Sequence, residues 1–361
     1  AMPKASWNWP STASHATSSD HLGAWVQHFA ARAGTVEEAL RQEFPESDIT
    51  VLDGARFDGA DATLQQAVTA AAASHDVVIL VVGEPSSLSG EAASRSEIRL
   101  PGDQEALIHA VADTGVPVAV VLVNGRPLDI SSWFPRVPAV LEAWHGGLEG
   151  PAAIARLLSG AANPGGRLPA AFPRSVGQLP IYDAHERTGR PAITGGEGGL
   201  TNQDWVLQGP NNVVDHFTSK YLDLPLGPLL PFGHGLSYSR FELSEPEFLG
   251  AVPSAAAVSS GATITVLVTV TNVSDRDGDE VVLVFVRDEV ATLAPAARTL
   301  AAFERISVEA GQRRTLRFEF GGGALGFWTN DPAGCHVVEA GRFVLTITDG
   351  AGSFEQSFDL A

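Results

Sequence analysis

Cysteine is nearly absent. Cys335 is the single one among 361 residues, so an internal disulfide and a cysteine-built metal site are both excluded. That suits a cytoplasm, and equally a periplasm in which the protein needs no bridges. Basic residues are also scarce, with 23 Lys and Arg against 42 Asp and Glu. The resulting formal charge of −19 repels phosphate backbones and anionic lipid, so neither nucleic acid nor a membrane surface is an expected partner. No apolar run reaches the roughly 18 residues of a spanning helix. The opening "AMPKASWNWPSTASHATSSDH" lacks the basic and apolar regions of a secretory signal. Also missing are a GxSxG nucleophile elbow, a phosphate-binding loop with its lysine, and any close histidine pair such as HExxH. "GGEGG" (195–199) follows no strand and reads as a turn, while the glycine-flanked His145 and His234 read as turn or packing residues. No metal or cofactor is implied.

What is present is an ordinary globular composition, 44% apolar and 18% charged, in a chain long enough for two domains. Residues 1–20 are irregular. From 21 to 240, apolar β-branched runs alternate with helical patterns. "DVVILVV" (76–82), "PVAVVLV" (117–123) and "PAVLEAW" (138–144) are continuous rather than alternating, which marks strands covered on both faces of a mostly parallel sheet. Helical spacing fills the gaps, and Gly115, Gly160 and Asn163 stand at helix stops. The expected fold is a Rossmann-like α/β sandwich with long Pro/Gly-rich loops. From 241 to 361, strands such as "TITVLVTVTNVSD" and "GRFVLTITD" recur between turn residues without intervening helices, predicting an all-β immunoglobulin or fibronectin III-like sandwich.

In open parallel sheets ligands bind beyond the carboxyl ends of the strands. The stretch after the first run, "GEPSSLSGEAASRSEIRLPGD" (83–103), is long for such a connection and carries Glu84, Glu91, Arg95 and Glu97. A loop carboxylate beside apolar surface suits proton donation. A solvated surface charge is the plainer reading of any one of them.

The ordered series "GEAASRSEIRLPGDQ", "NGRPLDI", "EAWHGGLEG", "NPGGRLPAAFPRSVGQLPIYDAHERTGRP" and "LLPFGHGLSYSRFE" closely resembles the second half of glycoside hydrolase family 3, of the bacterial periplasmic β-glucosidase type. The last third is similar to that family's fibronectin type III-like domain. The resemblance spans residues 60–361. It implies a retaining β-glycosidase acting on a β-linked glycoside, in which an aspartate on a TIM barrel is the nucleophile and a glutamate on a sandwich loop is the acid/base. Glu91, in "GEAASR", matches the acid/base position. That would account for the long loop, since its carboxylate has to cross a domain boundary. Arg95, Arg190 in "TGRP" and Trp144 are the residues expected at the substrate, with an ion pair and a buried indole as the structural alternatives for Arg95 and Trp144. Arg126 in "NGRP" is expected to brace the loop, and Phe232 and Tyr238 to anchor the return toward the last domain.

The sequence departs from the family's pattern before residue 60. No series of eight βα units stands there, and only "LGAW" and "TVEEAL" echo the family. The nucleophile is therefore expected on a barrel outside this chain, with a separate barrel chain or a homo-oligomer as partner. Trp7, Trp9 and Trp25 are expected to cover the sheet, and the insertion at 192–216 to close over or reshape the pocket. Two other functions remain open. One is a barrel-independent hydrolase of β-glucosides or β-glucuronides pairing Glu91 with Asp204 or Asp223. The other is a non-catalytic carbohydrate-binding or scaffold remnant. A periplasmic or cytoplasmic location fits equally.

Overall fold

The structure is a computed structural model that describes residues 34–185, 221, 223–225 and 227–361. Two compact units divide these residues. One lies within Ala1–Ala162 together with Phe172–Leu179, the other within Asn163–Ala171 and Pro180–Ala361. Trp7, Trp9, Trp25, Arg190, Asp204 and the 192–216 insertion lie outside the described residues.

In the first unit, β1 (Val78–Gly83), β2 (Val118–Val123) and β3 (Ala139–Glu142) form a parallel sheet in the order β1-β2-β3. Val78 stands opposite Val118, and Leu122 opposite Glu142. On β2, the successive residues Val120, Val121 and Leu122 are all fully buried. Burial of neighbours that point to opposite faces is what a continuous apolar run requires, and each such side chain contributes about 1.5–3 kcal/mol. Around the sheet, α2 (Ala62–Ala72) packs on α3 (Gln104–Asp113), and α1 (Val36–Glu43) on α4 (Gly150–Ser159).

Local chemistry sets the helix limits. Thr35 and Glu38 form a reciprocal capping box at the start of α1, and the Asp61 carboxylate accepts from Thr63 N–H at the start of α2. Each satisfies backbone donors that a helix leaves open. The glycine stops hold: Gly115 and Gly160 both take left-handed backbone, at φ 76° and 82°. The third strand is shorter than its apolar run. It ends at Glu142 because Trp144 adopts φ 46°, a left-handed conformation that no strand continues through.

The second unit is a β-sandwich. β7 (Gly278–Asp288), β8 (Thr299–Val308), β12 (Gly341–Thr348) and β13 (Ser353–Leu360) form one antiparallel sheet in the order β13-β12-β7-β8. In the other, β6 (Ile264–Asn272) pairs with β4 (Phe241–Leu243), β5 (Glu247–Phe248) and β9 (Arg313–Phe320). Every second residue of β6, from Ile264 to Val270, enters the core, which is the alternation of a sheet with one buried face. Two short helices, α5 (Ala255–Ser259) and α6 (Gly322–Leu325), interrupt what the sequence suggested was strand alone. Alanine-rich composition and a Ser254 cap on Ala257 N–H explain the first. The small β10 (Phe327–Trp328) and β11 (His336–Val337) form a separate hairpin.

Candidate active site

The loop that follows β1 is closed at its base by two buried polar side chains. Gln104, at the first turn of α3, accepts from Gly83 N–H at 2.8 Å and donates to the carbonyls of Gly83 and Pro101, both at 2.9 Å. Asp103 accepts from the backbone of Arg56 and Asp61 at 2.6 and 2.7 Å. The ends of the excursion are thus fixed by hydrogen bonds, and Ile98 and Leu100 near its close are buried as well.

Its body is held by charge. The Glu84 side chain has no exposed surface and meets two guanidiniums, Arg95 at 2.7 Å and Arg126 at 3.2 Å. Arg126 also donates to the carbonyls of Leu88 and Ala93, and Arg95 to that of Arg99. A buried carboxylate is tolerated only when it is paired and hydrogen-bonded in this way. Arg126 therefore braces the loop, gripping it on both sides of its crest.

At that crest Gly90 and Ala92 both have positive φ, 114° and 60°. Left-handed backbone at Ala92 costs about 1–2 kcal/mol, and the grip on Ala93 stabilises it. Between them Glu91 is exposed. It makes no hydrogen bond or ion pair with the other described residues. Glu97 is likewise exposed. Four charged residues that look equivalent in sequence thus divide into a buried clamp, Glu84 with Arg95, and outward-facing carboxylates.

Below the crest a cleft of about 760 Å³ opens, lined among others by Glu84, Ser89, Arg126, Trp144, His145 and Ile154. Gly90 and Ala92 line it and Glu91 does not, so Glu91 sits at its rim. Trp144 packs against Phe172 with ring centroids 5.9 Å apart. His145 is exposed, with Nε2 3.4 Å from Ser89 Oγ. Of the residues expected at the substrate, Trp144 lines the cleft, Arg95 lies in the clamp on Glu84, and Arg190 is outside the described residues.

Two residues at this edge escaped the sequence reading, Glu142 and Asn124. Trp144 N–H donates to Glu142 Oε1 at 2.9 Å, and Asn124 Nδ2 donates to Arg126 O at 2.8 Å. Burial pushes the Glu142 carboxyl up to about 8, against hydrogen bonding to Trp144 and Asn124 that favours its charged form. Asn124 follows one apolar run and Glu142 interrupts another, which was the available signal.

In the second unit Phe232 packs edge-on against Phe285, and Arg276 lies over the Tyr238 ring at 5.3 Å. Asp223 is exposed. His234 serves the backbone turn, its carbonyl accepting from Leu168 N–H at 2.8 Å. Burial and then Arg167 hold its pKa below the ordinary histidine value.

The chain matches the family described as Glycosyl hydrolase family 3 C-terminal domain over residues 11–238, and the Fibronectin type III-like domain over 280–351. It is 38% identical over 300 residues to a periplasmic beta-glucosidase of Salmonella typhimurium, which covers 83% of this chain and 36% of that protein. It is 36% identical over 283 residues to a beta-xylosidase of Formosa agariphila, with 78% and 35% covered. Among solved structures, the beta-glucosidase from Listeria innocua in complex with gluconolactone is similar at a TM-score of 0.78 and 33% identity, over 91% of this chain and 42% of that one. The chain thus spans about a third of the length of these curated relatives.

Proposed function

Because the chain belongs to glycosyl hydrolase family 3, we propose that it is the acid/base-bearing part of a retaining β-glycosidase that hydrolyses β-linked glucosides or related sugars, with Glu91 as the proton donor. The observation that carries this reading is the exposed Glu91 at the crest of a loop clamped through Glu84, Arg95 and Arg126. A carboxyl group that serves a reaction centre on another body must be presented outward, and held there by its own. Names of relatives, beta-glucosidase and beta-xylosidase, support a neutral pyranoside substrate, which a chain of charge −19 does not repel.

In this reading Glu91 protonates the glycosidic oxygen as a second carboxylate, roughly 5–5.5 Å away, attacks the anomeric carbon. Glu91 then takes a proton from the water that releases the sugar. Glu84 cannot be the second group, since it has no exposed surface and is bound to two arginines. We assign the nucleophile to the portion of the relatives that this chain does not span. Trp144, in the cleft wall, offers a ring face to the sugar or its leaving group. A periplasmic location follows the Salmonella relative.

The test joins this chain to the part of the Salmonella enzyme that it does not match and assays cellobiose hydrolysis. The joined protein turns over, the chain alone does not, and Glu91→Gln lowers the joined rate by about 10²–10⁴-fold. Turnover by the isolated chain would refute the placement of the nucleophile. An unchanged rate in the variant would remove Glu91 from the mechanism.

A further inference from the structure

The three parallel strands end at one edge of their sheet, and residues from the loops that leave them meet there. Ser89 belongs to the loop after β1, Gly125 follows β2, and His145 follows β3. Ser89 Oγ and His145 Nε2 lie 3.4 Å apart against Gly125: a Cβ on that residue would stand 2.0 Å from the hydroxyl and 2.8 Å from the imidazole nitrogen. Only a residue without a side chain lets the pair close across it. All three line the cleft. The bond is long, so packing on the Gly125 backbone fixes the pair as much as the bond does. A serine hydroxyl both donates and accepts, so the contact suits either imidazole tautomer and the imidazolium as well.

The two sides of this pair differ in how firmly they are held. His145 follows Trp144, whose backbone is left-handed, whose N–H donates to Glu142 Oε1 at 2.9 Å and whose ring packs on Phe172. That turn is fixed. Ser89 instead leads into the crest of the loop. Arg126 holds the carbonyls of Leu88 and Ala93, and between them the chain turns on Gly90 and Ala92, closed by a backbone bond from Ala93 N–H to Gly90 O at 3.2 Å. Glu91 rides on that span. Ser89 is the nearest side chain before it with a partner outside the loop.

We propose that His145 is a positioning residue for Glu91: through Ser89 it latches the crest to the Trp144 turn, so that the carboxyl group and the cleft wall keep one geometry. The catalytic meaning of the latch rests on the glycosidase reading. Its existence does not.

The first test is amide exchange by NMR on the full chain. Ser89→Ala and His145→Phe each remove one end of the bond, and Gly125→Ala forces the pair apart from beneath. In each, exchange of the Ala93 amide accelerates by about 5–30-fold, the weight of one residue's released backbone, while the Glu84 amide, bonded to Val123 O, is unchanged. His145→Gln, which keeps a nitrogen for Ser89, lies closer to wild type, and the Ser89→Ala/His145→Phe double variant exchanges no faster than either single one. Unchanged Ala93 exchange, equal acceleration at Glu84, or additive single effects overturn the latch. In the joined enzyme His145→Phe lowers kcat on glucosides with poor leaving groups by about 10–10²-fold with KM little changed, and spares activated aryl glucosides. An equal loss on both overturns the positioning role. A Glu91→Gln rate equal to wild type would instead remove the glycosidase reading, leaving the latch to stand or fall on the exchange result.

Discussion

Replacing Glu84 by glutamine keeps the shape of the side chain and removes the charge that two guanidiniums share. Arg95 and Arg126 have only 14% and 21% of their side chains exposed, so water restores little of what they lose. Removing one partner of a buried pair costs about 3–5 kcal/mol. Their partial exposure and the amide oxygen that remains place Glu84→Gln near the lower end, at about 3 kcal/mol. In a unit of this size that lowers Tm by roughly 6–12 °C. Calorimetry at pH 7 reads the shift. Trypsin reads its location, because Arg95 and Arg99, now less firmly tied, become faster cleavage sites. A loss below about 0.5 kcal/mol with unchanged cleavage would refute the clamp and with it the account of how Glu91 is held.

Glu142 makes stability depend on pH with a definite sign. Its folded pKa, about 8 against an ordinary 4.5, means the native state keeps a proton that the unfolded chain releases. Stability relative to Glu142→Gln therefore falls as pH rises from about 4.5 to 8 and levels above, by about 4–5 kcal/mol in the limit; urea titrations at pH 5, 7 and 9 measure it. Gly102→Ala is expected to cost more than about 2 kcal/mol, because φ is 69° and the new Cβ would stand 1.8 Å from the Arg56 carbonyl oxygen; thermal melting checks this. In the β-sandwich, Arg167→Met leaves Glu280 without its guanidinium in a site where both side chains are at most 8% exposed. The expected loss is about 3 kcal/mol at pH 8. It is smaller at pH 5, because burial already raises the Glu280 pKa and the stranded carboxylate can take up a proton.

The architecture was legible in the sequence where one physical cause acts alone. Continuous runs such as "PVAVVLV" (117–123) and the alternation of 264–272 report burial on two faces and on one, and the strands lie on them. The site was legible only in part. The length of the 83–103 loop pointed to the carboxyl edge of the sheet, and Arg126 as its brace followed. What separates Glu84 from Glu91 is a partner 42 residues away, and no local pattern carries that. Asn124 and Glu142 meet across a strand register that the sequence alone does not fix. In the same way Asn163 finds Ser239 and Arg167 finds Glu280 over 76 and 113 residues, which is why the Pro/Gly-rich segment 163–171 packs with the β-sandwich unit.

The measurement closest to the central claim is the dependence of kcat/KM on leaving-group acidity, for β-glucosides hydrolysed by the joined enzyme and by its Glu91→Gln form. Loss of the proton donor steepens the plot: glucosides with poor leaving groups slow by about 10²–10⁴-fold while the most activated aryl glucosides change little. Parallel plots for the two proteins would contradict a proton delivered from Glu91.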